Sequence, residues 1–264
     1  MSNESTKGVA AVILAAGKGT RMHSPTAKVL HLLGNRPIIL YPVTLAETLG
    51  VQPIVVVVGY QAEQVRTVLG DRPVRIALQS EQSGTAHAVS QSEALLNDFD
   101  GTVLILCGDV PLLKPSTAAR FIDCHRAGPA VVTVMTTTLD NPKGYGRIVR
   151  DRAGRMMKIV EDRDASIAEQ SIREINTGIY LVEKTFLFDA LRTVGNRNQQ
   201  REYYLPDIIE TAVAAQLPVE ACHFPESFET MGINTPQDLE RAQDLLADFA
   251  DDLFGPNFPR NPIN

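Results

Sequence analysis

The chain has 264 residues, of which 44% are hydrophobic and 21% are charged, an ordinary composition for a globular protein. Its 31 acidic and 25 basic residues give a formal net charge of −6, so no general positive field would attract a polyanion. The longest apolar runs, such as residues 9–16, are far shorter than the roughly 20 residues that cross a bilayer. Nucleic acid and membrane are therefore excluded as default partners, and the polar N-terminus predicts a cytoplasmic protein.

The first half of the chain alternates short β-rich runs with amphipathic segments. The runs, in order, are VAAVILA, PIVVVVG, VRIALQ and TVLILCG. This alternation predicts a parallel α/β sheet, with helices over residues 37–49, 85–96 and 116–127. Gly50 and Gly128 are expected to end the first and last of these helices.

After Ala130 the pattern changes to more strands and fewer helices. The runs GRIVRD and RMMKIVED are separated by a short turn, which predicts a β-hairpin. The fold class expected is α/β: a mostly parallel, Rossmann-like doubly wound sheet with an added β-rich lobe. We expect one domain over residues 1–250, divided near residue 130, and a disordered or extended tail over residues 251–264.

The three cysteines are odd in number and widely spaced, without a CxxC pair. They are Cys107, Cys124 and Cys222. Neither a disulfide framework nor a zinc site is indicated, so we expect small core residues. The five histidines show no HxxxH spacing, and none is assigned a catalytic role.

The segment LAAGKGTRM, residues 14–22, directly follows the first strand. Glycines there allow backbone N–H groups to turn inward and form an anion-binding concavity. Arg21 and Lys28 add a forked guanidinium and a movable ammonium, which together suit the oxygens of a nucleoside triphosphate. A dinucleotide fingerprint is disfavoured because the pattern is GxGxxM, and a P-loop is disfavoured because GK[ST] is absent. The alternative is that the segment forms only a tight strand-to-helix turn, with Arg21 in solvent.

Two further segments carry side chains suited to the same ligand. Gln79 ends a predicted strand before the turn at Gly84, and a side-chain amide there can pair with the imide edge of a pyrimidine. Asp109 follows a buried strand, at the sheet edge where doubly wound folds bind ligands, and can hold magnesium. The alternatives are that Thr85 caps a helix and that Asp109 caps a helix or stabilises a turn. Asn234, which lies immediately before Thr235 and Pro236, could likewise merely precede an N-cap.

The segment LAAGKGTRMHSPTAKVLHLLGNRPI closely resembles the opening motif of the sugar-nucleotidyltransferase family, in particular its N-acetylglucosamine-1-phosphate uridylyltransferase members. FETMGINTPQ and REYYLPDII are also similar to family segments, so the resemblance runs from about residue 9 to about residue 245. Ala27 stands where the family usually has proline. The resemblance implies that residues 9–130 bind the nucleotide and that residues 131–235 bind the sugar.

The resemblance also implies roles for individual residues. Arg21 and Lys28 are expected to act on the phosphates, and Asp109 with Asn234 is expected to bind Mg²⁺. The other residues expected to contact substrate are Leu14, Ala15, Ala16, Gly17, Gln79, Gly84, Thr85, Gly108, Gly146, Glu161 and Asn176. Without the resemblance, Glu161 would be interpreted as part of a solvated acidic turn.

The reaction implied is transfer of UMP from UTP to N-acetylglucosamine 1-phosphate, with small molecules as the only partners. The attacking phosphate oxygen is already ionised, so no general base is required. The alternatives are a related nucleotidyltransferase with another base or sugar, or a silent regulatory domain that binds a sugar nucleotide. No hexapeptide repeat follows, so a left-handed β-helix with acetyltransferase activity is not expected. The oligomeric state is left open.

Overall fold

The computed structural model describes residues 6–254 as an α/β protein built on a nine-stranded sheet and a separate two-stranded ribbon. The strands are β1 (Val9–Ala15), β2 (Leu32–Leu33), β3 (Arg36–Pro37), β4 (Ile54–Val58), β5 (Val74–Leu78), β6 (Thr102–Cys107), β7 (Val132–Thr138), β8 (Arg147–Arg150), β9 (Met156–Val160), β10 (Glu174–Glu183) and β11 (Val219–His223). The helices are α1 (Leu40–Leu49), α2 (Ala62–Leu69), α3 (Thr85–Ser90), α4 (Pro115–Arg126), α5 (Ile167–Gln170), α6 (Lys184–Leu191), α7 (Asp207–Ala214) and α8 (Pro236–Phe254).

The first half of the chain contains the parallel strands β6-β1-β4-β5, in that order in the sheet. Every residue of β4 is buried, because helices cover both faces of these strands. The chain adds β4 and β5 on one side of β1 and then crosses to place β6 on the other side. The segments that follow β1 and β6 therefore diverge, which opens a crevice at the carboxyl ends of the two strands.

Side chains of β1 alternate between two cores. Ala11 and Ile13 belong to the cluster that includes residues of α1, α2 and α4. Ala10 and Val12 belong to the opposite cluster, which includes residues of α3, α6 and α7. The sheet is therefore doubly covered, as its continuous apolar strands predicted.

The second half extends the sheet through β10, which lies antiparallel between β6 and β7. The β8–β9 hairpin is antiparallel, as predicted, and joins β10 where Arg147 pairs with Ile175. The pairing of β10 with β7 shifts between Asn176 and Tyr180, around Gly178 at φ +81°. This irregularity lies at residues that line a cavity of the crevice.

The predicted helices exist, with two changes of extent. α1 begins at Leu40 rather than residue 37, because Arg36 and Pro37 pair with β2, and it ends at a left-handed Gly50. The helix expected over residues 85–96 is interrupted: α3 ends at Ser90, and Glu93–Leu96 forms a separate 3-10 turn. The buried Ser92 hydroxyl donates to the Val89 carbonyl, a local bond that competes with the continuing helix.

Two other expectations are corrected. Cys124 on α4 and Cys222 on β11 form a disulfide, so the expectation of unpaired cysteines is wrong for these two. Helix packing brings together residues 98 positions apart, which the spacing could not indicate. Residues 251–254 continue α8 instead of starting an extended tail, and the rest of the predicted tail lies outside the described residues. None of the described helices is long and apolar enough to span a membrane.

Candidate active site

The crevice at the carboxyl ends of β1 and β6 contains two adjoining cavities, of about 510 and 190 Å³. They share three lining residues, Leu14, Thr85 and Cys107. The predicted residues on the larger cavity are Leu14, Ala15, Ala16, Gly17, Arg21, Lys28, Gln79, Gly84, Thr85, Asp109 and Asn234. The predicted residues on the smaller one are Leu14, Thr85, Gly146, Glu161 and Asn176. The structure thus brings the predicted nucleotide residues and sugar residues to neighbouring parts of one cleft.

Gly108 is the one predicted residue that lines neither cavity. Its N–H donates to the Leu14 carbonyl at 2.9 Å, which joins the ends of β6 and β1. A Cβ added at Gly108 would lie 2.7 Å from that carbonyl oxygen. Gly108 therefore shapes the cleft by permitting close approach of the two strands.

The glycine-rich loop is held in place from both sides. Gly19 has φ +69°, and a Cβ there would lie 2.5 Å from the Lys28 Cβ. The Ala16 carbonyl accepts from the Tyr60 N–H at 3.0 Å. The absence of a side chain at Gly19 thus lets Lys28 fold back over the loop and point into the cleft.

Four of the predicted polar residues meet at one point. Lys28 forms an ion pair with Asp109, and its Nζ atom also donates to Asn234 Oδ1 at 2.9 Å. Arg21 Nη2 donates to the same Asn234 oxygen at 3.0 Å. The Lys28 and Asp109 side chains are only 16% and 17% exposed, so solvent screens this pair less than a surface pair.

Asn234 is positioned by the start of α8. Thr235 is the N-cap of α8, and its hydroxyl accepts from the Asp238 N–H at 3.1 Å. The Asp238 carboxylate in turn accepts from the Asn234 N–H at 3.0 Å and from the Thr235 N–H at 2.9 Å. The N–H of Ile233 donates to the Asp109 carbonyl at 2.9 Å. The cap and this cross-link hold the Asn234 amide beside Asp109, so its place before an N-cap and its place in the site are compatible.

Asp109 and Asn234 present oxygens that suit a divalent cation. Both oxygens already bind one cationic group, the Lys28 ammonium, so their separation fits a shared positive charge. Among the described residues, no cluster of three or more His, Cys, Asp or Glu side chains could hold a metal ion. The two oxygens of Asp109 and Asn234 suit Mg²⁺, which commonly uses one or two protein oxygens and takes its other ligands from phosphate and water.

The far end of the larger cavity is built around Gln79, which is only 3% exposed. Its Nε2 donates to the Gly84 carbonyl at 3.1 Å and lies 3.1 Å from His87 Nδ1. Gly84, at φ +113°, is the residue that precedes α3. Thr85 does not cap the helix; its hydroxyl instead accepts from the Leu205 N–H at 2.9 Å. That alternative role is therefore wrong, because the hydroxyl is used to hold the 202–205 segment against the turn.

Gly146, Glu161 and Asn176 are among the residues that line the smaller cavity. The Asn176 N–H donates to the Gly146 carbonyl at 2.9 Å. A Cβ on Gly146 would lie 3.3 Å from Glu161 Oε1 and 2.9 Å from Ile159 Cγ2. Glycine at 146 therefore leaves room for the Ile159 and Glu161 side chains beside the backbone.

Glu161 lies in an environment that favours its protonated form. Burial, followed by the nearby carboxylates of Asp207, Asp164 and Asp162, raises its pKa to about 7. Arg147 opposes the shift. Near neutral pH this carboxyl can therefore either donate or accept a hydrogen bond.

Arg147 connects the two turns that border the smaller cavity. It is 2% exposed, donates to Asp162 Oδ1 at 2.8 Å and also donates to the Tyr145 carbonyl. One buried guanidinium thus joins the 143–146 turn to the 161–164 turn. The sequence analysis did not identify it, because its partners come together only through the hairpin.

Cys107 and Tyr180 also line the cleft and were not among the predicted site residues. Cys107 directly precedes Gly108 and Asp109, a signal that could have identified it. Tyr180 gave no such signal, because an aromatic residue inside an apolar strand is typical of a core position.

The comparisons with known proteins agree on one family. The nucleotidyl transferase family profile matches residues 10–248. The Bifunctional protein GlmU of Pelobacter propionicus is 48% identical over 241 residues, covering 91% of this chain and 52% of the relative. The Bifunctional protein GlmU of Syntrophotalea carbinolica is 50% identical over 238 residues, covering 90% and 51%. The chain thus spans about half the length of the curated relatives it matches.

A solved structure from Bacillus anthracis, assigned as a glucose-1-phosphate thymidylyltransferase and determined with sucrose, superposes with a TM-score of 0.71. The match covers 91% of this chain and 96% of that one. At 19% identity it supports the fold alone, a Rossmann-like α/β sheet of the predicted class. With the family profile matched over nearly its whole length, the chain belongs to the nucleotidyl transferase family.

Proposed function

We propose that the chain transfers UMP from UTP to N-acetylglucosamine 1-phosphate, forming UDP-N-acetylglucosamine and pyrophosphate in the cytoplasm. The observation that carries this proposal is the convergence of Arg21, Lys28, Asp109 and Asn234 in a cleft that joins a larger cavity to a smaller one. The base and the sugar rest on the motif resemblance and on the similar GlmU relatives.

The two cavities suggest how the substrates are arranged. UTP fits the larger cavity, with its base near Gln79 and its phosphates against the loop and Lys28. The sugar phosphate fits the smaller cavity, with its sugar near Glu161 and Asn176. The reacting groups would meet near the shared residues, which supports in-line transfer between bound substrates.

The chemistry requires alignment and charge neutralisation more than proton transfer. An ionised oxygen of the sugar phosphate forms a bond to the α-phosphorus of UTP, and the bond from that phosphorus to the β-phosphate oxygen breaks. Pyrophosphate leaves with the electron pair. Lys28 and Arg21, with loop N–H groups, are placed to stabilise its charge.

Asp109 and Asn234 would hold Mg²⁺, which supplies positive charge to the phosphates when bound. In the structure Lys28 binds both of these oxygens, so we expect it to turn toward the phosphates once they are occupied. Lys28 would then leave the Asp109 carboxylate and pair with a phosphate group instead.

The test is pyrophosphate release from UTP, Mg²⁺ and N-acetylglucosamine 1-phosphate, measured with and without EDTA. Asp109→Asn keeps the side-chain shape but removes the charge, and Asp123→Asn on the exposed face of α4 is the matched control. Release that is lost with EDTA and with Asp109→Asn, but kept in the control, supports the proposal.

Other outcomes identify the alternatives. Release only with another nucleotide or sugar phosphate would indicate a different nucleotidyltransferase on the same site. Silence across a panel of nucleotides and sugar phosphates, with calorimetric binding of a sugar nucleotide, would indicate a regulatory binding domain.

A further inference from the structure

His87, on α3, contacts Gln79, the residue around which the far end of the larger cavity is built. Its Nδ1 atom lies 3.1 Å from Gln79 Nε2, and the Gly84 carbonyl oxygen lies 3.1 Å from the same nitrogen. His87 is half-buried and lines neither of the two cavities. Any influence of His87 on a bound nucleotide must therefore pass through the Gln79 side chain.

The Gln79 amide has one orientation that satisfies both neighbours. A carbonyl oxygen only accepts hydrogen bonds, so the amide atom that faces Gly84 is the nitrogen. That nitrogen has two hydrogens, and with one donated to Gly84 the other is available to His87 Nδ1. Nδ1 then accepts, which leaves the ring proton of a neutral His87 on Nε2. Turned over, the amide would set its oxygen against the Gly84 carbonyl oxygen and leave Nδ1 without a donor.

This orientation leaves the Gln79 side-chain oxygen, Oε1, for a ligand. Within residues 6–254, Oε1 accepts no hydrogen bond from another residue, and it is not one of the unpartnered polar atoms that packing seals off from solvent. Gln79 lines the larger cavity, and its N–H donates to the Val58 carbonyl at 2.8 Å, which fixes the backbone. The cavity therefore presents a hydrogen-bond acceptor in a fixed place.

A fixed acceptor at this place distinguishes between pyrimidine bases. Ring nitrogen N3 of uracil carries a hydrogen and can donate to an amide oxygen, whereas N3 of cytosine has only a lone pair. Two acceptors that face each other both stay without a donor, so cytosine would bind less well in the same position. With the amide turned over, its NH₂ group would face N3 instead, and the preference for uracil would be lost.

We propose that His87 is a specificity-determining positioning residue: by accepting from Gln79 Nε2 it holds the amide oxygen toward an imide N–H and so selects UTP over CTP. The inference rests on the proposed function, which places the base of UTP near Gln79. It deepens that function by assigning part of the choice of base to a residue that does not line the cavity.

The test compares UTP with CTP in variants of α3. His87→Leu removes the acceptor, and His87→Asn restores one, because the asparagine side-chain oxygen comes close to the place of Nδ1. Gln91→Leu is the matched control, since its amide donates to the His87 carbonyl at 3.1 Å and lines neither cavity. For each nucleotide, kcat and KM are measured with Mg²⁺ and saturating N-acetylglucosamine 1-phosphate.

We expect His87→Leu to lower the ratio of kcat/KM for UTP to kcat/KM for CTP about 10-fold, which corresponds to about 1.4 kcal/mol. His87→Asn should recover most of the parent ratio, and Gln91→Leu should keep it. KM for the sugar phosphate should change by less than about twofold in all of these variants, because Gln79 does not line the smaller cavity.

A double variant tests whether His87 acts through Gln79. Gln79→Leu removes the amide and should itself lower the nucleotide ratio. Adding His87→Leu should then change the ratio by less than about twofold, because the group that His87 positions is gone. A further fall in the double variant would show that His87 acts by another route.

Three results would overturn the role of His87. They are an unchanged nucleotide ratio in His87→Leu, an equal fall in His87→Leu and Gln91→Leu, and a ratio in His87→Asn as low as in His87→Leu. If His87→Leu does not fold, His87→Gln replaces it, because the glutamine amide reaches toward the place of Nε2 and leaves that of Nδ1 empty. The same fall in the ratio is expected.

Failure of the proposed function is a separate result. If the parent protein releases no pyrophosphate, calorimetry with UTP and CTP compares the two dissociation constants in the parent and in His87→Leu. A parent that binds neither nucleotide removes the proposed function and the role of His87 with it. An active parent whose nucleotide ratio is unchanged in His87→Leu removes only the role of His87.

Discussion

The Lys28 ammonium nitrogen lies 2.9 Å from the side-chain oxygen of Asn234, which joins the loop after β1 to the start of α8. Arg21 donates to the same oxygen at 3.0 Å. The first and last segments of the site therefore meet on one amide group. Through this contact Lys28 helps to hold the site together, and it also supplies positive charge to the site. Experiments can separate the two roles.

Lys28→Met should lower kcat at least 100-fold, because the side chain keeps most of its length but loses the charge that would stabilise pyrophosphate. The free energy of unfolding, measured with urea, should change by no more than about 2 kcal/mol, since Asp109 remains partly exposed and can be hydrated. The control is Lys7→Met, at an exposed residue outside both cavities. Equal activity in the two variants would contradict a role for Lys28 in turnover.

Gly108→Ala should destabilise the protein by about 1–3 kcal/mol, because its Cβ would lie 2.7 Å from the Leu14 carbonyl oxygen and push β6 away from β1. Gly128→Ala is the matched control, since a Cβ there meets no atom within 4 Å. Its free energy of unfolding should stay within about 0.5 kcal/mol of the parent value. Chemical denaturation measures the free energy of unfolding of both variants. Similar losses of stability in the two would contradict the importance of the close approach at Gly108.

Glu161→Gln should make the protein more stable at pH 8 and little changed near pH 4.5. The Glu161 pKa is about 7 in the folded protein against an ordinary value of 4.5, so the folded state favours the protonated carboxyl. That stabilisation is fully present below pH 4.5 and is lost as the pH rises through 7. One pKa unit corresponds to about 1.4 kcal/mol, which limits the gain at pH 8 to roughly 3 kcal/mol.

Urea denaturation of the parent and of Glu161→Gln at several pH values gives the difference directly. Glu63→Gln is the control, because the Glu63 side chain is 87% exposed. A stability difference that does not depend on pH would contradict the raised pKa of Glu161.

Arg147→Met should destabilise the protein by about 3–5 kcal/mol, because it leaves the Asp162 carboxylate without its buried partner. It should also raise KM for the sugar phosphate more than KM for UTP, since Arg147 joins the turns beside the smaller cavity only. Arg155→Met in the same hairpin removes a pair whose arginine is 78% exposed, and should change stability by less than about 1 kcal/mol. Thermal denaturation with substrate kinetics compares the two, and a KM rise shared equally by UTP would argue against local positioning.

Much of the fold followed from local patterns. The continuous apolar runs predicted the parallel strands around β1, and Gly50 marked the end of α1. The break after α3 was missed because it depends on the buried Ser92 hydroxyl. The helix α6 was not predicted, because its apolar face is defined only by the strands it covers.

The sequence by itself determined the chemical groups of the candidate site. We could recognise the glycines after the first strand, the two cationic side chains, and the oxygen ligands Asp109 and Asn234. Beside a strand end or a helix start, each of these residue types is suited to few kinds of ligand. Motif resemblance then linked segments that are far apart in the chain.

Only the tertiary structure decided how those groups act together. It placed Lys28 between the Asp109 and Asn234 oxygens and raised the Glu161 pKa by burial. Distances and burial depend on residues brought together by packing, and no spacing along the chain encodes them. The types of ligand group were therefore fixed locally, while their geometry and protonation were fixed by the fold.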